Sequence, residues 1–387
     1  MRIYLDHNAT TPVDPAAAEA MSHALTGLFG NPSSVHYFGQ QAKAALDEAR
    51  TAVAALIGGE PSEIVFTSGG TEADNFAIRG VAETLEATAR RQLITSAIEH
   101  EAVLNTLKAL ARRGWRTTIL PVDATGIVSA DALRNAVTDE TALVSIMHAN
   151  NEIGTIQPVA ELAEIAHSRG ALFHTDAVQT AGKIPMNVRA LGVDLLALSA
   201  HKFYGPKGVG ALWIRRGARL VPVLTGGRHE RNRRAGTENT AGIVGMGVAA
   251  RHALATMPSE GPRLAALRDR LENKILGAVQ RTEVNGARDA RVPNTTNISF
   301  ERVEAESLLI ALDLEGVAVS TGSACSSGTL EPSHVLRAMG LSPGRTQSSI
   351  RFSLGSANME EQIDYVASIL PNIVSKLRSL SPAGART

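Results

Sequence analysis

The sequence predicts an α/β fold: a mostly parallel central sheet with helices on both faces, followed by a smaller α/β domain toward the C-terminus. Short apolar and β-branched runs alternate with longer segments whose apolar residues recur at helical spacing, which is the pattern of βαβ units. Several of the short runs are apolar throughout, as expected for strands covered on both faces. After about residue 260 such runs become fewer, which indicates a second domain.

The strands of the large domain are predicted at residues 63–67, 92–95, 116–120, 142–147, 171–175, 194–198 and 209–214, with helices at 73–87, 102–111 and 159–166. The segment MPSEGPRL at 257–264 carries two prolines and a glycine, so we end the large domain there and begin a long helix at Leu264. The large domain is therefore 14–261. The smaller domain combines 1–13 with 262–387, with strands at 296–300 and 348–352 and helices at 305–312, 332–339 and 360–377.

The composition is that of an ordinary globular protein, with 44% hydrophobic and 20% charged residues among 387. Lys+Arg and Asp+Glu are both 38, which gives no electrostatic case for a nucleic-acid or anionic-membrane partner. The one cysteine, Cys325, excludes an internal disulfide and a cysteine-based zinc site. The sequence shows neither a signal-peptide pattern nor a run of about 18 apolar residues, so we expect a cytoplasmic protein.

Four motifs carry the candidate chemistry, and each is predicted at a strand end, where parallel sheets bind their ligands. The first is TSGGTE at 67–72, between a strand and a helix. Backbone N–H groups at Gly69 and Gly70, together with the helix N-terminus, would bind an anion such as phosphate, and Thr71 would add a hydroxyl. The alternative is a tight turn in which Thr71 is the helix N-cap.

The second and third motifs are HTDAVQ at 174–179 and SAHKFYGPKG at 199–208. Asp176 in apolar surroundings needs a cationic partner, such as a protonated pyridine nitrogen, and Gln179 could reach the same ligand. The alternative is that Asp176 caps the next helix. Lys202 follows an apolar strand, and a desolvated lysine is an amine nucleophile suited to Schiff-base chemistry. The alternative is a solvated loop lysine.

The fourth motif is STGSACSSG at 320–328, which places Cys325 among small residues flanked by glycines. This setting favours an exposed, reactive thiol over a structural one, the alternative being an incidental loop thiol.

Asp176 and Lys202 are 26 positions apart, one strand–helix–strand excursion, so they can lie at neighbouring strand ends. A phosphate cradle, an aspartate for a ring nitrogen and a Schiff-base lysine are together what pyridoxal phosphate requires.

Further motifs cover nearly the whole chain in a recognisable order: YLDHNATTPVDP, GNPSSVHYFGQQA, FTSGGTEADN, IEHEAV, HANNEIGTIQPV, FHTDAVQTAGK, SAHKFYGPKGVGAL, RAGTEN and SACSSGTLEPSHVLRAMG. On these motifs the chain resembles the cysteine desulfurases of the NifS/IscS type, fold-type I pyridoxal-phosphate enzymes of the class V aminotransferase group. The Lys202 motif and the extended cysteine loop, about 320–334, are the most specific parts of the resemblance.

The resemblance implies a role for each matching residue. Lys202 would form the Schiff base and move protons, Asp176 would pair with the pyridine nitrogen, and Gln179 would hydrogen-bond the ring 3′-oxygen. His100 would stack on the ring and act as an acid or base. Phosphate would be bound by Gly70, Thr71, Ser199 and His201, and by Thr237 of the other subunit, which implies a homodimer. Asn8, Asn151 and Arg351 would border or hold the substrate carboxylate.

The resemblance also implies the reaction. L-cysteine would become L-alanine while Cys325, activated with the help of His100, takes the sulfur as a persulfide. The persulfide would serve an iron–sulfur scaffold or another acceptor protein, and Cys325 is the candidate contact for a transient iron–sulfur cluster. Nitrogenase clusters, general iron–sulfur clusters and tRNA thiolation stay open as destinations, with a tilt toward nitrogen fixation.

Rival functions stay open at this point. A selenocysteine lyase or another class V aminotransferase would keep the cofactor, although an aminotransferase needs no thiol. A sulfur-carrying scaffold would be no enzyme at all, although Lys202, Asp176, His100 and Cys325 are all present. A dinucleotide site is disfavoured because GMGVAA at 245–250 matches the loose glycine pattern without a preceding strand, and small-residue helix packing explains it better.

Overall fold

The computed structural model describes residues 2–321 and 332–380. Its strands are β1 (Ile3–Tyr4), β2 (Ile64–Thr67), β3 (Gln92–Ser96), β4 (Arg116–Leu120), β5 (Thr141–Ser145), β6 (Leu172–Asp176), β7 (Leu195–Ser199), β8 (Gly210–Ile214), β9 (Thr282–Asn285), β10 (Thr295–Phe300), β11 (Val317–Ala318) and β12 (Ser349–Ser353). Seven of these described strands form the central sheet, in the order β2-β8-β7-β6-β5-β3-β4. Only β8 runs against its neighbours, which confirms the predicted mostly parallel sheet.

The helices in the described part of the chain are α1 (Pro15–Gly27), α2 (Tyr37–Leu56), α3 (Gly70–Thr84), α4 (Glu101–Ala111), α5 (Ala130–Ala136), α6 (Val159–Ser168), α7 (Val188–Leu191), α8 (Thr240–Ala278), α9 (Ala305–Leu314), α10 (His334–Ala338), α11 (Pro343–Gln347) and α12 (Glu360–Leu380). Short 3-10 turns span Pro61–Glu63, Ala200–Lys202 and Glu230–Asn232. Helices therefore follow most strands of the central sheet, as the alternating sequence pattern predicts.

Helices cover the central sheet on both faces. Successive residues of a strand point to opposite faces, and in β7 they enter two different cores. Leu195 and Ala197 pack in the core that α3 and α4 supply. Leu196 and Leu198 pack in the core that α2, α6 and α8 supply. The continuously apolar sequence of this strand is thus explained by burial on both sides.

The smaller part of the fold is built on a second sheet, in which β10 lies between β12 and β9 and pairs antiparallel with both. The N-terminal strand β1 pairs in parallel with β11. Ile3 accordingly lies in the same hydrophobic core as Ile298 and Ile350. The division into domains at 14–261 and at 1–13 with 262–387 stays a prediction.

Helix α8 corrects one prediction: it runs unbroken from Thr240 to Ala278, so the helix does not begin at Leu264. Both Pro258 and Pro262 lie inside it, on its exposed face. Proline removes one helical hydrogen bond, and at an exposed position water can satisfy the carbonyl that loses its partner. The predicted boundary after residue 261 therefore falls within a helix.

Close packing of α8 on α1 and α2 explains the GMGVAA segment. A Cβ added at Gly245 would lie 2.6 Å from the Met21 side chain, and one at Gly247 would lie 2.6 Å from the Ala49 backbone. The segment is mid-helix, with no strand before it, so the dinucleotide alternative is wrong. Helices α1 and α2 are absent from the predicted elements, although Asp14 caps α1 by accepting hydrogen bonds from the Ala16 and Ala17 N–H groups.

Candidate active site

Three of the four predicted motifs lie at the carboxyl ends of the central strands. Strand β6 ends at Asp176 and β7 ends at Ser199, and these strands are neighbours with Asp176 opposite Ala197. Lys202 closes the 3-10 turn that follows β7. The predicted adjacency of the two strand ends is therefore what the sheet topology shows.

The N-terminus of α3 forms the predicted anion cradle. Gly69 is its N-cap and Gly70 its first residue, so the alternative with Thr71 as the N-cap is wrong. The first N–H groups of a helix have no partner within it and are available to an anion. A Cβ at Gly70 would lie 2.8 Å from Cγ2 of Val178 and 3.5 Å from Cβ of Ser199, so only glycine keeps this space open.

Ser199 and His201 stand beside this cradle. Ser199 is buried at the end of β7. Nδ1 of His201 lies 3.1 Å from the Thr10 hydroxyl, and burial is the main reason that the pKa of His201 falls to about 4. His201 is therefore neutral at pH 7 and would meet a phosphate as a hydrogen-bonding group rather than as a cation.

One side of the site holds three buried carboxyl groups, Asp74, Glu99 and Asp176, which we call the acid cluster. Burial raises the pKa of all three, and for Glu99 it does so to about 8. Mutual repulsion adds to this effect, because Asp176 raises the pKa of both neighbours. Such a cluster favours a cationic or proton-donating ligand.

Asp176 does not cap the next helix, which begins only at Val188, so that alternative is wrong, and its pairing with a ring nitrogen stays a prediction. Its Oδ1 accepts a hydrogen bond of 2.9 Å from the Val178 N–H, so it stabilises the turn that follows β6. A positive charge on His100 or on Lys202 lowers its pKa, against the larger effect of burial. Behind it, Oδ1 of Asp74 and Nε2 of His174 lie 3.6 Å apart, and both atoms are buried without a hydrogen-bond partner among the described residues.

The site also holds three cationic side chains whose charges act on one another, Lys183, Lys202 and Arg351, which we call the cation cluster. Lys202 Nζ donates to the carbonyl oxygens of Asn8 (2.6 Å) and Ala9 (2.8 Å). Because it is half-buried and tethered in this way, the alternative of a solvated loop lysine is wrong. Arg351 donates to the Asp6 carboxylate (2.6 Å) and to the Asn151 carbonyl (3.1 Å).

Asn8 links the cation cluster to the rest of the site. It is buried, and its Nδ2 donates to the Asn151 carbonyl (3.0 Å) and the Thr295 hydroxyl (2.8 Å). Its carbonyl oxygen accepts from Gln179 Nε2 at 3.0 Å as well as from Lys202. Asn8, Asn151, Gln179 and Arg351, which were singled out by resemblance, thus form one continuous hydrogen-bonded set.

Lys183 is a site residue that the sequence reasoning missed. Its Nζ donates to Gln179 Oε1 (2.8 Å) and to Asn8 Oδ1 (3.0 Å). Burial, and then the charges of Lys202 and Arg351, lower its pKa well below the usual value for a lysine. The signal was the last letter of FHTDAVQTAGK, a lysine in an otherwise small and apolar turn, but spacing alone does not connect it to Asn8. Asp74 and Glu99 were missed as well.

His100 is the N-cap of α4, where its Nδ1 accepts a hydrogen bond of 3.1 Å from the Ala102 N–H. In the neutral ring the proton is then on Nε2, so His100 offers a donor there. Together with Thr71, His100 lies at a groove of about 600 Å³ between α3 and α4. Stacking of His100 on a ring stays a prediction.

Thr237 is exposed on the loop before α8. The neighbouring Arg234 donates to the Glu72 carboxylate at 2.8 and 3.2 Å, which ties this loop to the first turn of α3. The tie places the loop near the rim of the anion cradle. Binding of Thr237 to the phosphate of a second subunit stays a prediction.

Cys325 lies outside the described residues, and so does most of its loop. The described residues that flank the segment contact the site on both sides. Ser320 exchanges backbone hydrogen bonds with Arg351, at 3.2 and 2.7 Å. Ser333 donates to the Glu152 carboxylate at 2.6 Å, and His334 Nε2 lies 3.0 Å from the Glu99 carbonyl, next to His100. The chain therefore leaves and re-enters the described structure beside Arg351 and His100.

Residues 2–321 and 332–380 contain no group of three or more His, Cys, Asp or Glu side chains that could hold a metal ion. The predicted iron–sulfur contact at Cys325 is outside these ranges and stays a prediction. None of the helices within the same ranges has the length and apolar character needed to cross a membrane.

A family model described as aminotransferase class-V matches residues 3–366. The chain belongs to this family. It is 52% identical to the cysteine desulfurase IscS of Dictyoglomus turgidum, over 98% of this chain and 96% of the relative. It is 51% identical to a cysteine desulfurase of Nostoc sp., over 98% of this chain and 94% of the relative.

Solved structures agree with these sequence relatives. A NifS-like protein has a TM-score of 0.92 at 40% identity, over 97% of this chain and all of that one. A NifS-like protein of Rickettsia africae has a TM-score of 0.86 at 33% identity, with the same coverage. The predicted fold and the resemblance to class V cysteine desulfurases are confirmed, and with them the predicted enzyme class and its cofactor, pyridoxal phosphate.

The geometry of the site fits this cofactor. The anion cradle at Gly70 suits a phosphate, and the buried Asp176 suits a protonated ring nitrogen. Lys202, a member of the cation cluster, lies close enough to Asp176 for its charge to lower the pKa of that carboxyl. The residues present therefore match the phosphate, the ring nitrogen and the aldehyde of pyridoxal phosphate one by one.

Proposed function

We propose that the protein converts L-cysteine to L-alanine and takes the released sulfur as a persulfide on Cys325. The observation that carries this proposal is a convergence. Asp176 and Lys202 lie at the carboxyl ends of neighbouring strands, and Arg351 of the second sheet reaches them through Asn151 and Asn8. The segment that contains Cys325 joins the described structure beside Arg351 and His100. Relatives named cysteine desulfurase at about 50% identity over nearly the full chain support the same reaction.

Pyridoxal phosphate, when bound, supplies an electron sink that makes cleavage at the substrate Cα and Cβ positions possible. Lys202 would hold its aldehyde carbon and then carry the proton that leaves Cα. Asp176 would keep the ring nitrogen protonated, because a buried carboxylate gains most from a nearby cation. Gln179 would donate to the ring 3′-oxygen, and the cradle at Gly70, with Thr71, Ser199 and His201, would hold the phosphate.

Arg351 would bind the substrate carboxylate. Two of its nitrogens are held by Asp6 and the Asn151 carbonyl, while its Nε is buried without a partner among the described residues. A guanidinium fixed in this way is oriented before the substrate arrives, and charge-assisted hydrogen bonds to a carboxylate are strong. Asn8 and Asn151 would complete the wall of this carboxylate pocket.

The sulfur step would proceed by attack of the Cys325 thiolate on the substrate sulfur. An S–S bond forms and the substrate Cβ–S bond breaks, and its electron pair stays on Cβ, where a proton completes the methyl group of alanine. Because Nδ1 of His100 accepts a hydrogen bond from the Ala102 N–H, the proton of the neutral ring is on Nε2. His100 would therefore stabilise the thiolate as a hydrogen-bond donor rather than take its proton.

The working unit would be a homodimer in the cytoplasm. Five exposed apolar side chains lie close together in sequence at the start of the fold and offer a surface for a second copy: Leu25, Phe29, Val35, Tyr37 and Phe38. Thr237, exposed beside the cradle, would reach the phosphate of the partner. An iron–sulfur scaffold or another acceptor protein would take the persulfide sulfur, with Cys325 as the transient contact of the cluster.

The test is turnover of L-cysteine with a reductant, in which alanine and sulfide should appear in equal amounts. Without the reductant, Cys325 should gain the mass of one sulfur atom, and the assignment is unambiguous because the chain has one cysteine. Cys325→Ala should lose sulfide production and keep the cofactor absorbance. A fully active Cys325→Ala variant would refute the proposal.

Comparing turnover of L-cysteine and selenocysteine tests the alternative of a selenocysteine lyase. Equal or faster turnover of L-cysteine supports a desulfurase, whereas turnover of selenocysteine alone would identify a selenocysteine lyase. A protein that binds the cofactor but consumes neither substrate would be another class V aminotransferase if it transaminates other amino acids, and a sulfur-carrying scaffold if it does not.

A further inference from the structure

Lys183 makes two hydrogen bonds with side-chain amides of the site, and it is the donor in both. Its Nζ donates to Oε1 of Gln179 at 2.8 Å and to Oδ1 of Asn8 at 3.0 Å. Nζ has enough hydrogens for both contacts as an ammonium, with three donors, or as an amine, with two. Each amide must therefore turn its oxygen toward Lys183 and its nitrogen away from it.

The orientation of Gln179 has a direct consequence for the cofactor site. With Oε1 held by Lys183, the amide nitrogen donates one hydrogen to the Asn8 carbonyl at 3.0 Å, and its second hydrogen is available to a ligand. If the amide were reversed, the carbonyl oxygen of Gln179 would face the 3′-oxygen of the cofactor, and two acceptors would repel each other. The donor that the site needs is thus selected by a lysine that lies behind it.

The orientation of Asn8 is fixed in the same way. Its Oδ1 accepts from Lys183 and also from Asn294 Nδ2 at 3.1 Å, while its Nδ2 donates to the Asn151 carbonyl and the Thr295 hydroxyl. The backbone carbonyl of the same residue is the acceptor for Lys202. Asn8 therefore connects Lys183 to the Schiff-base lysine through one rigid residue.

Two of the ionisable groups near Lys183 are positively charged and lower its pKa. His7 and His201 both feel its charge, but burial lowers the pKa of each to about 4, so both are neutral at pH 7. Lys202 and Arg351 are the positive neighbours, and the charge of Arg351 is balanced by Asp6. Repulsion between two charged lysines is mutual, so a positive charge on Lys183 favours the neutral amine of Lys202.

We propose that Lys183 is a positioning residue that sets the amide orientations of Gln179 and Asn8, and so keeps the Gln179 N–H toward the cofactor and Lys202 easily deprotonated. This inference rests on the proposed function for the identity of the cofactor and the role of Lys202. Lys183 itself touches neither substrate nor reacting atoms.

The test is a pH titration of the visible absorbance of the cofactor-loaded, full-length protein, which reports protonation of the bond between Lys202 and the cofactor. Lys183→Met removes both donors and the charge. Both losses favour the protonated form, so we expect the titration midpoint to rise by about one pH unit, a tenfold change in proton affinity. Lys183→Arg keeps donors and charge and should restore most of the wild-type midpoint.

Lys207→Met is the matched control, because Lys207 is exposed on the turn after Lys202 and also carries a charge that His201 feels. Its midpoint should stay close to that of the wild type. An unchanged midpoint in Lys183→Met would overturn the inference, even if its melting temperature fell, since a purely structural lysine would affect stability alone.

Competitive acylation of Lys202 in the cofactor-free protein gives a second readout that needs no turnover. The pH at which Lys202 becomes reactive should rise in Lys183→Met and stay unchanged in Lys207→Met, and equal profiles would overturn the inference. If the wild type shows the absorbance titration but makes no alanine, the proposed reaction fails, while the Lys183 comparison still stands or falls by its own midpoint.

Discussion

The two sides of the site solve opposite electrostatic problems. The acid cluster gathers three buried carboxyl groups with raised pKa values. The cation cluster gathers two lysines and an arginine, and there the pKa of Lys183 is lowered. Burial is the largest cause of each of these shifts, and like charges add to it at Asp74, Glu99 and Lys183, so these three groups disfavour their own ionisation.

The comparison shows what kind of ligand the site is built for. A ligand with a cationic ring nitrogen on one side and anionic oxygen groups on the other would relieve the repulsion in both clusters. Asp176 is the residue of the acid cluster at a strand end, while Lys202 and Arg351 are the tethered cations of the other side. The two clusters therefore match the cationic and the anionic end of a ligand of mixed charge.

Removing the central cation should give the largest effect. Lys202→Ala takes away both the attachment of the cofactor and the group that moves the Cα proton. We expect turnover to fall by on the order of 10³-fold or more, since positioned proton transfer alone contributes about 10²–10⁴-fold. Alanine production under saturating L-cysteine measures it. Lys207→Ala, a change in the same loop, is the control, and its turnover should stay within about twofold of that of the wild type. Near-normal turnover by Lys202→Ala would contradict the assignment of Lys202.

Removing the charge of Asp176 should give the second-largest loss of turnover. Asp176→Asn keeps the shape and the cap on the Val178 N–H but cannot hold the ring nitrogen protonated. We expect kcat to fall by about 10²-fold, the lower end of proton-coupled effects, while the cofactor stays bound. Steady-state kinetics and the visible spectrum measure the two parts. An Asp176→Asn enzyme with normal kcat would mean that the acid cluster does not serve the cofactor ring.

In the cation cluster, Arg351→Gln should weaken the binding of L-cysteine. Loss of a charged hydrogen-bonding partner costs about 1.5–3 kcal/mol, so KM for L-cysteine should rise by roughly 10–100-fold while the cofactor spectrum stays the same. Initial rates over a wide range of L-cysteine concentrations test this. Arg116→Gln, a surface change at an exposed ion pair with Glu140, is the control and should leave KM unaltered. A fall in kcat with constant KM would place Arg351 elsewhere in the mechanism.

Glu99→Gln should give the smallest effect, seen in stability rather than in turnover. The pKa of Glu99 is raised to about 8 by burial, so the folded protein keeps a proton that the unfolded chain loses above about pH 4.5. Stability should therefore fall as pH rises between these two values, by at most about 1.4 kcal/mol per pH unit for this group.

The Gln variant cannot titrate and should show a flatter pH dependence. Its one side-chain oxygen can still accept from both the Ser96 hydroxyl and the Met147 N–H, as Oε1 of Glu99 does. Urea unfolding at about pH 6 and pH 8 measures the difference. Identical pH dependence in both proteins would show that Glu99 is not the buried proton carrier.

Much of this fold could be predicted because burial on both faces leaves a strong local signal. The seven strands of the central sheet lie within two residues of their predicted positions, and β4 at Arg116–Leu120 coincides with its prediction. Weak signals failed where packing is made by small residues or by few residues. Helix α1 buries only Ala17 and Ala24, and the strand β11 has two residues.

The site divides along the same line. Asp176 and Lys202 could be predicted from local context, since each follows an apolar strand. Lys183 could not be connected to Asn8, because the two residues are 175 positions apart and meet only through the fold. The prolines of α8 misled the prediction because the sequence does not show which face of a helix is exposed.

The position of Asn8 has a consequence for how the protein is made. Its backbone N–H donates to the Ser353 hydroxyl at 3.0 Å, and the neighbouring His7 N–H donates to the Ser353 carbonyl at 3.0 Å. Contacts between residues so distant in sequence form late in folding. A nascent chain on the ribosome therefore carries Asn8 long before residue 353 has been synthesised, and the site that depends on Asn8 cannot be completed until then.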